Sequence, residues 1–121
     1  MIRVLLADDN ARVRSGLRHL LAITDDIEVV GAARNGAEAI ALWDETEPDL
    51  VLMDVSMPIL DGVAALRSIC DRHPGARVLM LTLSSDLERL GDAMRFGAIG
   101  HLLKDAEPPQ LFAAVRAAAA A

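Results

Sequence analysis

The stretch VLMDVSMP, Val51 to Pro58, drives a run of apolar residues into a lone carboxylate, Asp54, and stops at a proline. A buried strand does not ordinarily end this way, because an ionised carboxylate cut off from water is costly unless paired or metal-bound. Four other residues could supply the partners. Asp8 and Asp9 follow the apolar run IRVLLA, Thr82 ends ARVLMLT, and Lys104 follows GHLL. Three carboxylates brought within a few ångströms repel unless a cation joins them, and an all-oxygen ligand set suits a hard ion such as Mg2+. Lys104 would add a second positive charge. A carboxylate in that setting can attack a phosphoryl group while metal and lysine offset the charge, and Thr82 offers a hydroxyl donor to the product. Taken singly, each residue has a plainer explanation. A strand-end Asp is commonly a helix cap or turn residue, a strand-end Thr reflects β propensity, and a lone Lys is a solvated charge. The convergence of all of them carries the argument.

Convergence requires a particular scaffold. Five short apolar runs read as strands: Ile2–Ala7, Ile27–Ala32, Asp49–Asp54, Ala76–Thr82 and Gly100–Leu103. Three of them show little alternation, as strands covered on both faces should. Helical spacing fills the gaps. Val13, Leu17, Leu20 and Leu21 share one face, as do Ile40 and Trp43, then Gly62, Ala65, Leu66 and Ile69. Leu90, Ala93 and Met94 mark a fourth helix. A fifth starts near Pro108 or Pro109 and turns Leu111, Ala114, Val115 and Ala118 inward. Strict βα alternation predicts a doubly wound, five-stranded parallel α/β sheet with right-handed crossovers. In the order 2-1-3-4-5, the ends of strands one, three, four and five lie side by side, where such folds bind ligands.

Composition narrows the function. With 121 residues the chain is one domain, and its net charge of −6 argues against a nucleic-acid surface on it. The single cysteine, Cys70, cannot form an internal disulfide, which fits a cytoplasmic protein. No run approaches the length of a membrane span, and Asp8 and Asp9 come too early for a signal peptide. Neither G-x-G-x-x-G nor G-x-x-x-x-G-K-[ST] occurs, and no Tyr with one Trp leaves little to stack on a flavin. A dehalogenase-type phosphohydrolase would want D-x-D, but Ala11 stands two residues after Asp9. The terminal AAAAA reads as the tail of the fifth helix, in a chain expected to continue.

LLADDN, LVLMDVSMPILDG, VLMLTLSS and GAIGHLLKDA together resemble the receiver (REC) domain of two-component response regulators, the CheY-like variant of the flavodoxin-like fold, over residues 1–121. TLSS and LLKDA are most similar to the NarL/FixJ (LuxR-type) branch, whose members usually carry a C-terminal helix-turn-helix domain. The resemblance implies that Asp54 is the phosphoacceptor and that Asp9, Asp54 and the Ser56 carbonyl bind Mg2+ directly, with Asp8 acting through water. It makes Thr82 the switch hydroxyl and Lys104 the partner of the phosphoryl oxygens. It further implies a sensor histidine kinase as donor, a homodimer upon phosphorylation, DNA contact only through a separate domain, and catalysis of nothing but its own phosphorylation and dephosphorylation. A pseudo-receiver, an interaction module of the same fold, is the alternative, but such domains typically lose an acidic residue, the acceptor or the lysine. There are two departures. His101 stands where receivers usually place Tyr or Phe, and it reads as a partly exposed polar residue rather than a pH switch. Asp105 follows the lysine where Pro is common. Ser56 and Ser84, both small and neutral, flank the expected path of the hydrolytic water, so self-dephosphorylation is expected to be slow.

Overall fold

The computed structural model describes all 121 residues. Five strands alternate with five helices: β1 (Ile2–Ala7), α1 (Ala11–Ala22), β2 (Ile27–Ala33), α2 (Gly36–Thr46), β3 (Leu50–Asp54), α3 (Gly62–Arg72), β4 (Val78–Thr82), α4 (Leu87–Arg95), β5 (Gly100–Leu103) and α5 (Pro108–Ala120). A short 3-10 turn, Ser84–Asp86, leads into α4. The strands pair in parallel in the order β2-β1-β3-β4-β5. The expected topology and edge position of the second strand are both present.

Pleating sends alternate residues of the central strands into two separate cores. Leu5, Val51, Met53 and Met80 pack with Trp43, Leu66, Ile69 and Leu90 of α2, α3 and α4. Val4, Leu6, Leu52 and Leu81 pack on the other face with Leu21 of α1 and with Leu111 and Val115 of α5. All five residues of β3 and of β4 are buried, which accounts for their unalternating apolar sequence. Side chains start the helices: Asn10, Asn35 and Asp61 cap α1, α2 and α3, and Glu107 and Gln110 form a capping box ahead of Pro108.

Boundaries shift where side chains take over the backbone's bonds. β3 begins at Leu50, because the Asp49 carboxylate, instead of a strand partner, accepts the Arg3 N–H at 2.7 Å. β4 begins at Val78, later than the expected Ala76, and β2 runs one residue further to Ala33. Met94 does not join the buried face of α4: it is 41% exposed, while Leu90 and Ala93 are buried. β5, at the edge of the sheet, has four residues and none of them is fully buried.

One loop residue is strained. Ile59, between β3 and α3, has φ of +70° and is 85% exposed. The Leu60 N–H reaches back across it to the Pro58 carbonyl at 2.7 Å, closing a three-residue turn. A β-branched side chain in the left-handed region costs about 1–2 kcal/mol, and here no burial repays it. Ile59→Gly removes that strain and loses little packing, so the net gain is about 0.5–1 kcal/mol after the flexibility glycine adds to the unfolded chain. Thermal unfolding should therefore shift upward by a few degrees; an unchanged or lower midpoint would show the turn to be unstrained.

Candidate functional site

The carboxylates sit where local backbone geometry puts them. Asp8 leaves β1 with its N–H bonded to the Ala33 carbonyl at 3.0 Å, and its side chain is fully buried. Its Oδ1 accepts the Asn10 N–H at 2.9 Å, and Asn10 then caps α1, so the turn that starts the helix also orients the carboxylate. Arg14 holds the Asp8 carbonyl from the next helical turn at 2.7 Å. Asp9 is exposed at the mouth. Asp54, the last residue of β3, is 1% exposed, and its Oδ1 accepts the Ser56 N–H at 3.2 Å.

The loop behind Asp54 is fixed by two close backbone approaches. A Cβ at Gly62 would lie 1.8 Å from the Asp54 carbonyl oxygen, and one at Gly36 would lie 2.3 Å from the Leu60 carbonyl oxygen. Gly62 donates its N–H to Val55 at 3.0 Å and Gly36 donates to Leu60 at 2.8 Å. Any side chain at either position would push the acceptor loop away from the sheet.

Lys104 closes the cluster. Its own N–H bonds the Thr82 carbonyl at 2.9 Å, which aims the side chain back over the sheet edge. Its Nζ lies 3.0 Å from Asp8 Oδ2 and 3.0 Å from Asp54 Oδ2. Neither oxygen receives an aligned hydrogen bond, so both buried atoms keep unused acceptor capacity. Burial pushes Asp54 up to about 6, and the neighbouring Asp8 charge adds to this, although Lys104 and the Ser56 N–H pull the other way. Burial also opposes the charge on Lys104, but its two carboxylate partners outweigh that and hold it above its usual range.

The sign of the Asp54 shift matters. The native state holds this proton more tightly than the unfolded chain, so ionised Asp54 costs stability. That cost builds as pH rises from about 4 through 6 and is fully present above it. A bound cation is the natural relief. One oxygen from each of Asp8, Asp9 and Asp54 lies within 4.8 Å of the others, and a single ammonium serves the two buried ones. Hard oxygen donors with surplus negative charge fit a divalent metal ion of the Mg2+ kind.

Thr82 ends β4 fully buried, but its hydroxyl donates to the Leu83 carbonyl at 2.9 Å rather than towards the carboxylates. His101 is not brought into the cluster. It pairs with Met80 in the sheet register and is exposed. The sequence reading missed Arg89, which reaches from α4 to the Ser56 hydroxyl at 2.9 Å and pairs with Asp61. No periodicity marks such a contact, which joins residues 33 and 28 positions apart.

The comparisons agree with this geometry. A family model described as response regulator receiver domain matches residues 4–116. The chain is 46% identical over 110 residues to the Bacillus subtilis transcriptional regulatory protein YhcZ, covering 91% of this chain and 51% of that protein. It is 38% identical over 117 residues to the Escherichia coli nitrate/nitrite response regulator NarL, covering 97% of this chain and 54% of that one. Among solved structures, the receiver domain of the putative response regulator NarL from Mycobacterium tuberculosis superposes with a TM-score of 0.92 at 31% identity, covering 98% of this chain and 96% of that one. The chain thus spans about half the length of the curated relatives it matches. Fold, motifs and near-complete alignment leave one assignment: the chain belongs to the family of response regulator receiver domains, of the NarL/LuxR type.

Proposed function

We propose that Asp54 accepts a phosphoryl group from a sensor histidine kinase and that the resulting charge switches the domain. The observation that carries this is the Lys104 ammonium shared between the buried Asp8 and Asp54 carboxylates, with the Asp9 carboxylate exposed at the mouth of the same acidic cluster. In the transfer, an Asp54 oxygen bonds to phosphorus as the bond from phosphorus to the donor's imidazole nitrogen breaks, and the imidazole leaves with the electron pair. Asp9, Asp54 and the Ser56 carbonyl would hold Mg2+, with Asp8 acting through water. The ion, when bound, neutralises charge on the phosphoryl oxygens. Lys104 steadies the same oxygens from the opposite side.

Aspartyl phosphate adds about one negative charge and new acceptor oxygens. Thr82 can meet one of them only by releasing the Leu83 carbonyl. Charge-assisted hydrogen bonds from Thr82 and Lys104 contribute roughly 1.5–3 kcal/mol each. Together they approach the roughly 5.5 kcal/mol that inverts a 1:99 equilibrium. No aromatic switch is needed for this, and His101 acts as a bystander. The domain catalyses its own phosphorylation and dephosphorylation only. In a cytoplasmic regulator of about twice this length, residues 1–121 would pass the signal, by homodimerisation, to a C-terminal DNA-binding domain, as the transcriptional regulators it resembles suggest. No helix is long and apolar enough to cross a membrane.

Incubation with Mg2+ and acetyl phosphate, followed by intact mass, should add one labile phosphoryl group to the wild type and none to Asp54→Asn. Uptake by the Asn variant would place the acceptor elsewhere. Titration calorimetry with Mg2+ should show a larger loss of affinity for Asp9→Ala than for Asp8→Ala, because a direct ligand loses a coordinate bond and the other only a water bridge. Equal losses would undo this ranking.

A further inference from the structure

Arg89 projects from α4, outside the acidic cluster, yet it grips the loop that carries the acceptor. Its Nη1 donates to Ser56 Oγ at 2.9 Å, and its Nη2 pairs with the Asp61 carboxylate. Ser56 in turn gives its N–H to Asp54 Oδ1, and Asp61 caps α3 by accepting the Ala64 N–H at 2.9 Å. One planar guanidinium therefore spans the loop from the residue that orients the acceptor to the residue that starts α3.

Little else holds the start of α4. Its N-cap, Asp86, makes no side-chain capping bond, Leu87 is 63% exposed, and only Leu90 and Ala93 are buried. The other ion pair on the helix, Arg95 with Asp92, is internal to it. Arg89 makes the helix's one side-chain hydrogen-bonded tie to another element.

We propose that Arg89 is a positioning residue: a latch that fastens α4 to the acceptor loop in the resting state and lets go when Asp54 is occupied. The proposal rests on Asp54 being the acceptor. The route is short. When the Thr82 hydroxyl leaves the Leu83 carbonyl, the freed residue is the one that enters the Ser84–Asp86 turn, which runs directly into α4. A displacement of roughly 1 Å at the helix start is enough to break a fork of this length. An interaction made only in the resting state opposes activation, and removing it favours activation by the same factor.

The test uses beryllofluoride with Mg2+ as the phosphoryl mimic on the wild type, Arg89→Gln, Asp61→Asn and the double variant. Asn caps a helix as well as Asp does, so Asp61→Asn removes the charge without removing the cap. In the free protein, amide exchange across residues 84–90 should be about threefold faster in Arg89→Gln, the scale of a partly exposed ion pair. The mimic concentration giving half-saturation should fall by about the same factor. Asp61→Asn should reproduce both changes, and the double variant should add nothing further. Arg89→Lys, which keeps the charge but lacks the planar fork, should fall between. Unchanged exchange in this segment, or a half-saturation point that stays or rises, overturns the latch. Should the wild type fail to bind the mimic, the acceptor assignment falls instead, and the exchange comparison still decides whether Arg89 anchors α4.

Discussion

Everything at the rim of this sheet is arranged around one ammonium group between two buried carboxylates. Lys104 stands 3.0 Å from Asp8 and 3.0 Å from Asp54, side chains that arrive on different strands. Ions of like sign in a dry setting are tolerated only with a counter-charge of the right reach. The sheet order brings the ends of β1, β3 and β5 to one rim, with β4 between β3 and β5. Two glycines let the acceptor loop fold flat against β3 and α2. One lysine leaves the three carboxylates short of positive charge, a donor set that could hold a metal ion.

The same deficit links the site to the rest of the domain. Thr82 and Lys104 are joined by a backbone hydrogen bond, so the hydroxyl and the ammonium sit on one rigid strand edge. Thr82 is followed within two residues by the 3-10 turn and then by α4, whose N-cap Asp86 makes no side-chain capping bond. Beside α4, large apolar side chains stay in solvent: Leu87, Met94, Phe96 and Leu103 are each at least 40% exposed. A charge change that moved Thr82 would reach α4 directly through this turn.

The sheet and the acidic cluster were legible in the sequence because each leaves a local trace. Unalternating runs mark β3 and β4, and the polar residues fall at strand ends that topology must bring together. The sequence pointed to Asp8, Asp9, Asp54 and Lys104, and the structure brings these four side chains together. What escaped notice was set by tertiary context. The apolar stripe on α4 is real at Leu90 and Ala93, but Met94 stays 41% exposed. The Thr82 hydroxyl bonds its neighbour's carbonyl, a matter of rotamer that no spacing announces. Arg89 reads as a solvated charge until α4 and the β3–α3 loop are placed side by side.

If the cluster is built for charge transfer rather than for holding the fold together, ionised Asp54 must be a burden on the metal-free protein. Chemical denaturation of the wild type and Asp54→Asn in chelator, from pH 4 to 8, tests this directly. The account predicts that the Asn variant is the more stable at neutral pH, that its advantage shrinks towards pH 4 as Asp54 takes up its proton near pH 6, and that Mg2+ stabilises the wild type more than the variant. A wild type as stable as the variant at neutral pH without metal, or more so, would contradict it.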